Sequence, residues 1–441
     1  MIRNLEKVTF PEWKKARDRK PLLLRGARQT GKTHLIRKFG TENFRQIVEV
    51  NFELQPELQT AFQTLDPAVI LRNLSLFFNL TIQPGQTLLF LDEIQECPQA
   101  IMALRYFYEK MPGLHVIGAG SLLEFCLRDK NFKMPVGRVQ YLYLQPLSFE
   151  EFLSALGEEM LQTALDEMTL KNPLSEVLHE KLLRLFRDYL RIGGMPAAVN
   201  HYLSDPHSKN YQDQQTLLLQ TYRDDFGKYA KSHFQISYLQ KVFLSAPRMV
   251  SHRYKFSEVD RDVPSRDLKE ALSFLTQAGV VYRVNSASGH GLPFQLHENK
   301  FKIVFLDVGL MQRACGLDTE IAMNPDFMAI NSGAVAEQVV GQELLATSEP
   351  HEDRQLHFWV RDKKSSRAEV DFLISCSSKI IPIEVKAGST GTLKSLRLFM
   401  EENQSHVGIR FSMHPLSFHD KILSMPLYAI KQTKRILENL L

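Results

Sequence analysis

Short apolar runs alternate with amphipathic stretches over roughly the first 150 residues of the chain. Each run has the length of a buried strand, and each stretch between two runs is long enough for a helix. This alternation predicts a parallel α/β sheet whose strands are joined by helices. We place the strands at Pro21–Arg25, Gln46–Asn51, Thr87–Leu91, His115–Ala119 and Val139–Leu144.

The pattern changes after this region. From Phe149 to about Arg223 it is helical, with Gly193–Pro196 as the clear break. Residues from about 224 to 310 mix short helices with strands. From about residue 330 onward the pattern predicts a helix, a strand meander, a second helix, and a last strand and helix.

A phosphate-binding loop follows the first predicted strand. The apolar run Leu22–Leu24 precedes it and the helical stretch His34–Phe39 follows it, so the G-x-x-x-x-G-K-[ST] pattern has the strand-loop-helix context that it requires. Backbone N–H groups of such a loop surround phosphate oxygens at a helix N-terminus. The alternative is a surface turn that contains glycine and lysine. The loop consists of Gly26, Ala27, Arg28, Gln29, Thr30, Gly31, Lys32 and Thr33.

The loop predicts binding of ATP or GTP together with Mg²⁺. Lys32 would contact the β- and γ-phosphates, and the Thr33 hydroxyl would ligate the metal. The strand Thr87–Leu91 ends in Asp92 and Glu93. Asp92 is a candidate for the Mg²⁺ shell, and Glu93 for polarising the attacking water. The alternative is a buried strand that leaves its sheet into an acidic loop.

Two further polar residues follow the later strands of this sheet. The strand His115–Ala119 is followed by Gly120 and then by Ser121. A small polar side chain at this position would contact the γ-phosphate. The alternative is a plain turn at the end of the strand. Arg138 precedes the last strand, and its guanidinium would stabilise transferring phosphate charge in its own subunit or the next. The alternative for Arg138 is an ordinary surface arginine.

The C-terminal region contains a second group of charged residues. Ala368–Ile374 and Ile381–Lys386 read as the two strands of a hairpin that turns between Ser377 and Ser378. This turn places Asp371 opposite Glu384, and Lys386 shares their face because strand side chains alternate.

Glu337 lies on a predicted helix whose apolar stripe includes Val340 and Leu344. An acid on such a stripe is costly unless it is paired or binds a cation. We therefore interpret Glu337, Asp371 and Glu384 as ligands of a divalent cation, with Lys386 orienting water or stabilising the transition state of phosphodiester cleavage. The alternative is a salt-bridged hairpin without chemistry.

A basic stretch lies in the middle of the chain. Between Gly227 and Ser257 there is no acidic residue. Leu268, Leu272 and Leu275 then share one face of a helix, and strands at Val280–Val284 and Lys302–Leu306 follow, as in a winged helix that contacts DNA. The alternative is a solvated face or a protein-docking surface. The basic residues are Lys228, Lys231, Lys241, Arg248, Arg253 and Lys255.

Composition adds little to this picture. Of the 441 residues, 44% are hydrophobic and 24% are charged, as in ordinary globular proteins, and the net charge of +4 does not by itself indicate a nucleic-acid partner. No apolar stretch reaches the length of a membrane span, and the N-terminus lacks the apolar core of a signal peptide. The four cysteines, which include Cys126, have no metal-ligand spacing. We therefore expect a cytoplasmic protein with free thiols and no membrane partner.

Several strings of residues resemble a prokaryotic group of AAA-type ATPases that carry a C-terminal domain of unknown function. The resemblance extends over essentially the whole chain. The C-terminal part is similar to the PD-(D/E)xK nuclease superfamily, with Asp371 and Glu384–Lys386 at the motif positions. The strings that carry the resemblance are Gly26–Thr33, Leu89–Ile94, Gln145–Phe152, Gly193–Pro196, Tyr222–Asp225 and Lys302–Leu310.

The residues and the resemblance together predict four domains. These are a P-loop ATPase domain over 1–150, a helical lid over 151–225, a winged-helix domain over 226–325 and an α/β nuclease-like domain over 326–441. We expect a Mg²⁺-dependent ATPase whose nucleotide state acts through the later domains on nucleic acid. The alternative is a nucleotide-gated switch whose C-terminal domain binds protein or DNA without cleaving it. A homo-oligomer is a further candidate arrangement.

Overall fold

The computed structural model describes residues 3–121, 123, 137–230, 232–317, 332–353, 355–361, 368–387 and 392–441. Cys126 lies outside these ranges. The chain divides into two compact units. The first contains Met1–Gln145 and Glu349–Asp353, and the second contains Pro146–Ser348 and Arg354–Leu441.

The first unit is built on a parallel sheet. Its strands are β1 (Leu22–Arg25), β2 (Gln46–Asn51), β3 (Thr87–Asp92), β4 (His115–Ala119) and β5 (Gln140–Tyr143). Its described α-helices are α1 (Phe10–Lys15), α2 (Lys32–Asn43), α3 (Pro67–Phe78) and α4 (Pro98–Lys110). The strand order is β2-β3-β4-β1-β5, and neighbouring strands run parallel. The five predicted strands are therefore confirmed.

Helices cover both faces of this sheet, which explains the unbroken apolar run of β1. Leu22 and Leu24 pack in one core with Ile36 of α2. Leu23 points to the other face and packs in a second core with Leu104 of α4. All three leucines of β1 are fully buried, and the burial of each contributes about 2 kcal/mol relative to exposure. A strand that is buried on both faces is apolar throughout rather than alternating.

The second unit combines helices with a mixed sheet. Its described α-helices are α5 (Phe149–Ala155), α6 (Glu159–Glu167), α7 (Glu176–Ile192), α8 (Pro196–Ser204), α9 (Asn210–Asp224), α10 (Phe226–Tyr229), α11 (His233–Ser245), α12 (Phe256–Val259), α13 (Ser265–Gln277), α14 (Val308–Cys315), α15 (Ser332–Ala346), α16 (Lys394–Glu402) and α17 (Thr433–Glu438). Its described strands are β6 (Val281–Ala287), β7 (Leu296–Phe305), β8 (Leu356–Val360), β9 (Glu369–Cys376), β10 (Lys379–Val385), β11 (Gly408–Ser412), β12 (Ser417–His419) and β13 (Ile422–Pro426). Among these helices and those of the first unit, none is long and apolar enough to cross a membrane.

The sheet of the second unit joins two regions that the sequence predicted separately. Its order is β12-β13-β11-β10-β9-β8-β6-β7. The predicted pairing of Val280–Val284 with Lys302–Leu306 is confirmed, since β6 and β7 are antiparallel and Val281 faces Phe305. Strand β6 also pairs in parallel with β8, which pairs with β9. The hairpin of the predicted winged helix is thus hydrogen-bonded into the sheet of the C-terminal region.

Two details of the second unit differ from the sequence prediction. The helical region between Phe149 and Arg223 is divided into five helices, because breaks after α5, α6 and α8 accompany the predicted one at Gly193. Strands β11, β12 and β13 all follow α16, where the pattern predicted a single strand. Short half-exposed strands such as β12 carry too few apolar positions to show period-two alternation.

The residues at Pro146–Phe152 cap a helix inside a buried network. Ser148 accepts a hydrogen bond from the Glu151 backbone N–H, and the Glu151 carboxylate accepts one from the Ser148 N–H, which forms a capping box. The Glu343 carboxylate accepts a hydrogen bond from the Phe149 N–H at 2.9 Å. A Cβ atom at Gly194 would lie 2.1 Å from the Leu147 carbonyl oxygen. The residues around Ser148 and Gly194 therefore stabilise the packing of the second unit.

Candidate nucleotide site and carboxylate cluster

The phosphate-binding loop connects β1 to α2, as the sequence predicts. Gly26 has a φ of 149°, and a Cβ atom there would lie 2.2 Å from the carbonyl oxygen of Leu144. Gly31 has a φ of 94° and is the N-cap of α2. The Thr30 hydroxyl donates to the Ala27 carbonyl at 3.0 Å. Both glycines are required because the backbone turns tightly against β5 and then enters the helix.

Lys32 lies beneath this loop with 7% of its surface exposed. Its ammonium group donates hydrogen bonds to the carbonyl oxygens of Gly26 and Ala27 at 2.9 and 2.8 Å. Burial lowers the pKa of Lys32 to about 8, although the charges of Glu93 and Asp92 oppose this shift. The ammonium is therefore a desolvated cation that lacks a carboxylate in direct contact among the described residues. It is suited to receive an anion.

The strand ends of β2 and β3 supply oxygen atoms next to the loop. The Thr33 hydroxyl lies 3.3 and 3.2 Å from the two carboxylate oxygens of Asp92. The Asn51 amide donates to Asp92 Oδ2 at 3.2 Å. Burial raises the pKa of Asp92, and the charge of Glu93 raises it further. Mg²⁺ binds oxygen ligands, and the Thr33 hydroxyl and the Asp92 carboxylate lie side by side. These residues therefore fit the metal that the loop implies.

Glu93 is held by a local contact. Its backbone is left-handed, with a φ of 46°, and its carboxylate accepts a hydrogen bond from the Gln95 amide at 2.6 Å. The side-chain oxygen of Gln95 is buried without a described hydrogen-bond partner. A Cβ atom at Gly120 would lie 2.0 Å from that oxygen. Gly120 therefore makes room for the side chain that positions Glu93.

The other two candidates near the sheet have different surroundings. Ser121 follows β4 and is buried. Arg138 lies on the surface, where its guanidinium Nε is 2.9 Å from Glu109 Oε1 at the end of α4. Arg105 lies 3.0 Å from the same oxygen, and the two arginines lower the pKa of Glu109. Within this chain Arg138 is thus engaged in a surface ion pair.

The hairpin of the second unit has the register that the sequence predicts. Lys379 faces Cys376, and the pairing continues to Ile383 opposite Phe372. Ser377 and Ser378 form the turn with φ values of 48° and 61°, as in the tight turns whose twist matches a hairpin. The next residues in this register are Asp371 and Glu384. The Asp371 carboxylate accepts a hydrogen bond from the Val385 N–H at 2.8 Å.

A lysine that the sequence interpretation left out lies among these carboxylates. Lys302 of β7 is 2% exposed. Its ammonium nitrogen lies 2.9 Å from Glu337 Oε2, 3.1 Å from Glu369 Oε1 and 3.6 Å from Asp371 Oδ1. We call Lys302, Glu337, Glu369, Asp371 and Glu384 the carboxylate cluster. Three of its four acids thus converge on a cation that belongs to the protein.

A β-bulge accompanies the approach of Asp371 to Lys302. Leu373 faces His357 and Val370 faces Trp359, so Asp371 and Phe372 both lie opposite Phe358. A bulge redirects side chains relative to regular alternation. The Phe358 ring lies 5.3 Å from the Lys302 ammonium, which places the bulge next to Lys302.

Glu384 and Lys386 form a separate pair within the same region. The Lys386 ammonium donates to Glu384 Oε1 at 2.6 Å, and Glu384 Oε2 is buried without a described hydrogen-bond partner. Burial raises the pKa of Glu384, and the charge of Asp371 raises it further. The same two causes raise the pKa of Glu337. Glu337 and Glu384 therefore hold a proton more readily than an ordinary glutamic acid does.

Among the described residues, no group of three or more His, Cys, Asp and Glu side chains has the geometry of a metal site. Each predicted ligand of the second unit instead contacts a protein group: Glu337 and Asp371 contact Lys302, and Glu384 contacts Lys386. The interpretation of these three acids as ligands of a divalent cation stays a prediction.

Several of the basic residues in the middle of the chain are paired with acids. Lys241 lies 2.5 Å from Asp260, and Lys255 lies 2.7 Å from Glu258. Arg253 lies 3.1 Å from Glu369 of the carboxylate cluster. Lys231 and the side chain of Lys228 lie outside the described part of the chain. The stretch therefore presents less free positive charge than its sequence suggests.

Comparison with known families matches three segments of the chain. A family described as an AAA domain matches residues 18–153. Residues 18–153 form an AAA-type P-loop domain. Two domains of unknown function, DUF8612 and DUF4143, match residues 183–321 and 332–430. The AAA-type domain and the C-terminal domain of unknown function are those that the sequence resemblance implies. No curated protein matches the chain.

The chain is also similar to several solved structures, each at low sequence identity. A Walker-type ATPase of Pyrococcus abyssi is 16% identical, with 71% of this chain and 95% of that chain covered and a TM-score of 0.45. The ORC2 protein of Aeropyrum pernix is 12% identical over 73% and 93% of the two chains, with a TM-score of 0.34. The RuvB branch migration motor of Thermotoga maritima is 16% identical over 63% and 88%, with a TM-score of 0.30. The assignment of the AAA-type domain rests on the family match and its sheet.

Sequence reasoning missed four residues of these sites, namely Asn51, Gln95, Lys302 and Glu369. Lys302 interrupts the otherwise apolar run Phe301–Phe305. A lysine at such a position is costly unless acids surround it, so its position pointed to a buried ion pair. Gln95 carries no comparable pattern, since its role depends on a turn after β3.

Proposed function

We propose that the AAA-type domain binds ATP with Mg²⁺ and hydrolyses it. The observation that carries this proposal is the placement of Thr33 and Asp92 around one position, 3.2 Å apart, beside the buried Lys32. Lys32 would donate to the β- and γ-phosphates in place of the carbonyls of Gly26 and Ala27. The loop N–H groups would bind the remaining phosphate oxygens.

Thr33 and Asp92 would hold the Mg²⁺. The bound metal neutralises phosphate charge during transfer. Asn51 keeps the Asp92 carboxylate oriented, and Gln95 keeps Glu93 oriented. Glu93 would accept the proton of the attacking water, since it directly follows β3 and takes no part in the hydrogen bond between Thr33 and Asp92.

Ser121 and Arg138 have proposed supporting roles. Ser121 would contact the γ-phosphate from the end of β4. Arg138 would stabilise phosphate charge after release from Glu109, in its own chain or in a neighbouring subunit of a homo-oligomer. An exposed ion pair of this kind contributes little to stability because solvent screens its charges, so its release costs little.

Hydrolysis by three purified full-length chains tests the proposal. We expect Lys32→Ala to lose ATP binding and hydrolysis, because the phosphate charge then has no ammonium partner. Glu93→Gln should bind ATP with unchanged affinity and hydrolyse it roughly a hundredfold or more slowly, since it removes the base. Equal rates in wild type and both variants would overturn the proposal.

For the second unit we favour a regulatory function. Its nucleotide-gated C-terminal region would bind a protein or DNA partner without cleaving it. The supporting observation is that Lys302 already neutralises the carboxylates that a cleaving site would use for a metal. The competing function is nucleic-acid cleavage by Asp371, Glu384 and Lys386, with Glu337 as a further ligand.

Nuclease assays separate these two functions. Linear, branched and single-stranded substrates are incubated with Mg²⁺ or Mn²⁺, with and without ATP. We expect no metal-dependent product from wild type, and unchanged partner binding by Lys386→Ala. A product that disappears in Asp371→Ala would establish cleavage and overturn the regulatory proposal.

A further inference from the structure

We propose that Lys302 is the resident cation of the carboxylate cluster, in the place where a divalent cation would otherwise bind. Removal of its ammonium group would open a divalent-cation site formed by Glu337, Glu369 and Asp371. This inference concerns the second unit alone and is independent of ATP hydrolysis by the first.

The contacts of Lys302 are all made with groups of the protein. Its ammonium donates a hydrogen bond to Glu337 Oε2 at 2.9 Å. It forms ion pairs with Glu369 Oε1 at 3.1 Å and with Asp371 Oδ1 at 3.6 Å. The Phe358 ring adds a cation–π contact at 5.3 Å. The group is thus satisfied by the protein without a ligand.

Lys302 keeps its positive charge in spite of its burial. Burial by itself disfavours the ammonium form, but the charges of Glu337, Asp371 and Glu369 outweigh burial and hold the pKa of Lys302 above its ordinary value. The lysine is 2% exposed. A buried cation with three acidic neighbours is a fixed part of the core rather than a mobile surface charge.

The same oxygen atoms cannot serve a second cation at the same time. A divalent cation binds carboxylate oxygens at about 2.0–2.6 Å and would lie within a few ångströms of the ammonium nitrogen, where the two positive charges repel strongly at low dielectric. Two further carboxylate oxygens are also engaged: Asp371 Oδ2 accepts a hydrogen bond from the Val385 N–H, and Glu384 Oε1 accepts one from the Lys386 ammonium.

Arg253 adds a fixed charge at the edge of the cluster. Its guanidinium lies 3.1 Å from Glu369 Oε2. Glu337, Glu369, Asp371 and Glu384 are thus opposed by Lys302, Lys386 and Arg253. The near balance of charge leaves little attraction for a further divalent cation.

Mn²⁺ titration of the full-length protein without nucleotide tests the inference. The chains are wild type, Asp371→Asn, Lys302→Met, Lys302→Met with Asp371→Asn, and Lys386→Met as the matched lysine control. Calorimetry gives the affinity, and the Tm in Mn²⁺ and in EDTA gives a second readout. We expect Lys302→Met to bind Mn²⁺ at least about tenfold more tightly than wild type and to gain Tm by mass action.

This gain should vanish in Lys302→Met with Asp371→Asn and be missing from Lys386→Met. A folded Lys302→Met chain without Asp371-dependent Mn²⁺ binding would overturn the inference. Mn²⁺ binding by wild type that Asp371→Asn abolishes would overturn it as well. If Lys302→Met does not fold, the Mn²⁺ affinities of wild type and Asp371→Asn are compared instead. Equal affinities, which mean that wild type has no Asp371-dependent Mn²⁺ site, support the inference. ATP plays no part in these measurements, so a failed ATPase proposal does not affect them.

Discussion

The two units each bury a lysine, and the surroundings of the two side chains are opposite. Lys32 of the first unit donates to backbone carbonyls, and burial lowers its pKa to about 8. Lys302 of the second unit contacts three carboxylates, which raise its pKa. A desolvated cation without an acidic contact favours an incoming anion, whereas a saturated cation stabilises the fold.

This difference separates a site prepared for a ligand from a site completed by the protein. Both sites combine a lysine with acids, and the sequence analysis predicts a divalent cation at each of them. Near Lys32 the Asp92 carboxylate lies close to the Thr33 hydroxyl, where both supply oxygen ligands for Mg²⁺. Near Lys302 the carboxylates of Glu337, Glu369 and Asp371 instead contact the ammonium group of the lysine.

The largest expected effect is the contrast between the same substitution at the two lysines. Lys302→Met should lower the free energy of unfolding by about 3–5 kcal/mol, since it leaves buried carboxylates without a counter-charge. Lys32→Met should change it by less than about 1 kcal/mol, because the lost carbonyl contacts are offset by relief of desolvation. Urea unfolding without nucleotide measures both. Similar losses at the two positions would break the comparison.

A smaller effect is expected from the shape of the phosphate-binding loop. Gly26→Ala places a Cβ atom 2.2 Å from the Leu144 carbonyl and should cost about 1–3 kcal/mol together with ATP binding. Gly85→Ala is the matched control, since Gly85 also has a positive φ but its Cβ would meet no atom within 4 Å. Thermal unfolding with and without ATP distinguishes them. Equal behaviour of the two variants would show that φ alone matters at Gly26.

The smallest effect is a pH dependence that belongs to Lys32 alone. Phosphate binding needs the ammonium form, so ATP affinity should fall above pH 8, by up to about tenfold per pH unit. The sign for stability is opposite: between pH 8 and the ordinary lysine pKa the unfolded chain binds more protons, so the nucleotide-free fold gains stability as pH rises. Lys32→Arg keeps its charge and should show a flat affinity profile. Calorimetry between pH 7 and 10 measures both chains.

Local patterns were sufficient where a structure depends on nearby residues. The strands of the first unit and the turn at Ser377 and Ser378 appear as predicted. The apolar runs of buried strands are visible in the sequence because both faces of the sheet are covered. The register that follows from the turn placed Asp371 and Glu384 at neighbouring positions.

Contacts between distant segments could not be read in this way. Glu109 approaches Arg138 from the end of α4, and Arg253 approaches Glu369 across more than a hundred residues. The bulge at Asp371 is set by pairing with β8 rather than by the hairpin turn. Each of these contacts depends on tertiary packing, which the local periodicity of a sequence does not predict.

The sequence by itself determined the phosphate-binding loop, the two acids at the end of β3 and the strand ends that surround them, since strand, glycine and lysine patterns are local. Only the tertiary structure decided the role of the second acidic group. It brings Lys302 of β7 together with Glu337 of α15 and Asp371 of β9, and a buried ion pair depends on the meeting of segments that are far apart in the chain. A motif of buried carboxylates therefore predicts that a cation lies beside them. The tertiary structure determines whether that cation is a metal ion or a side chain of the protein.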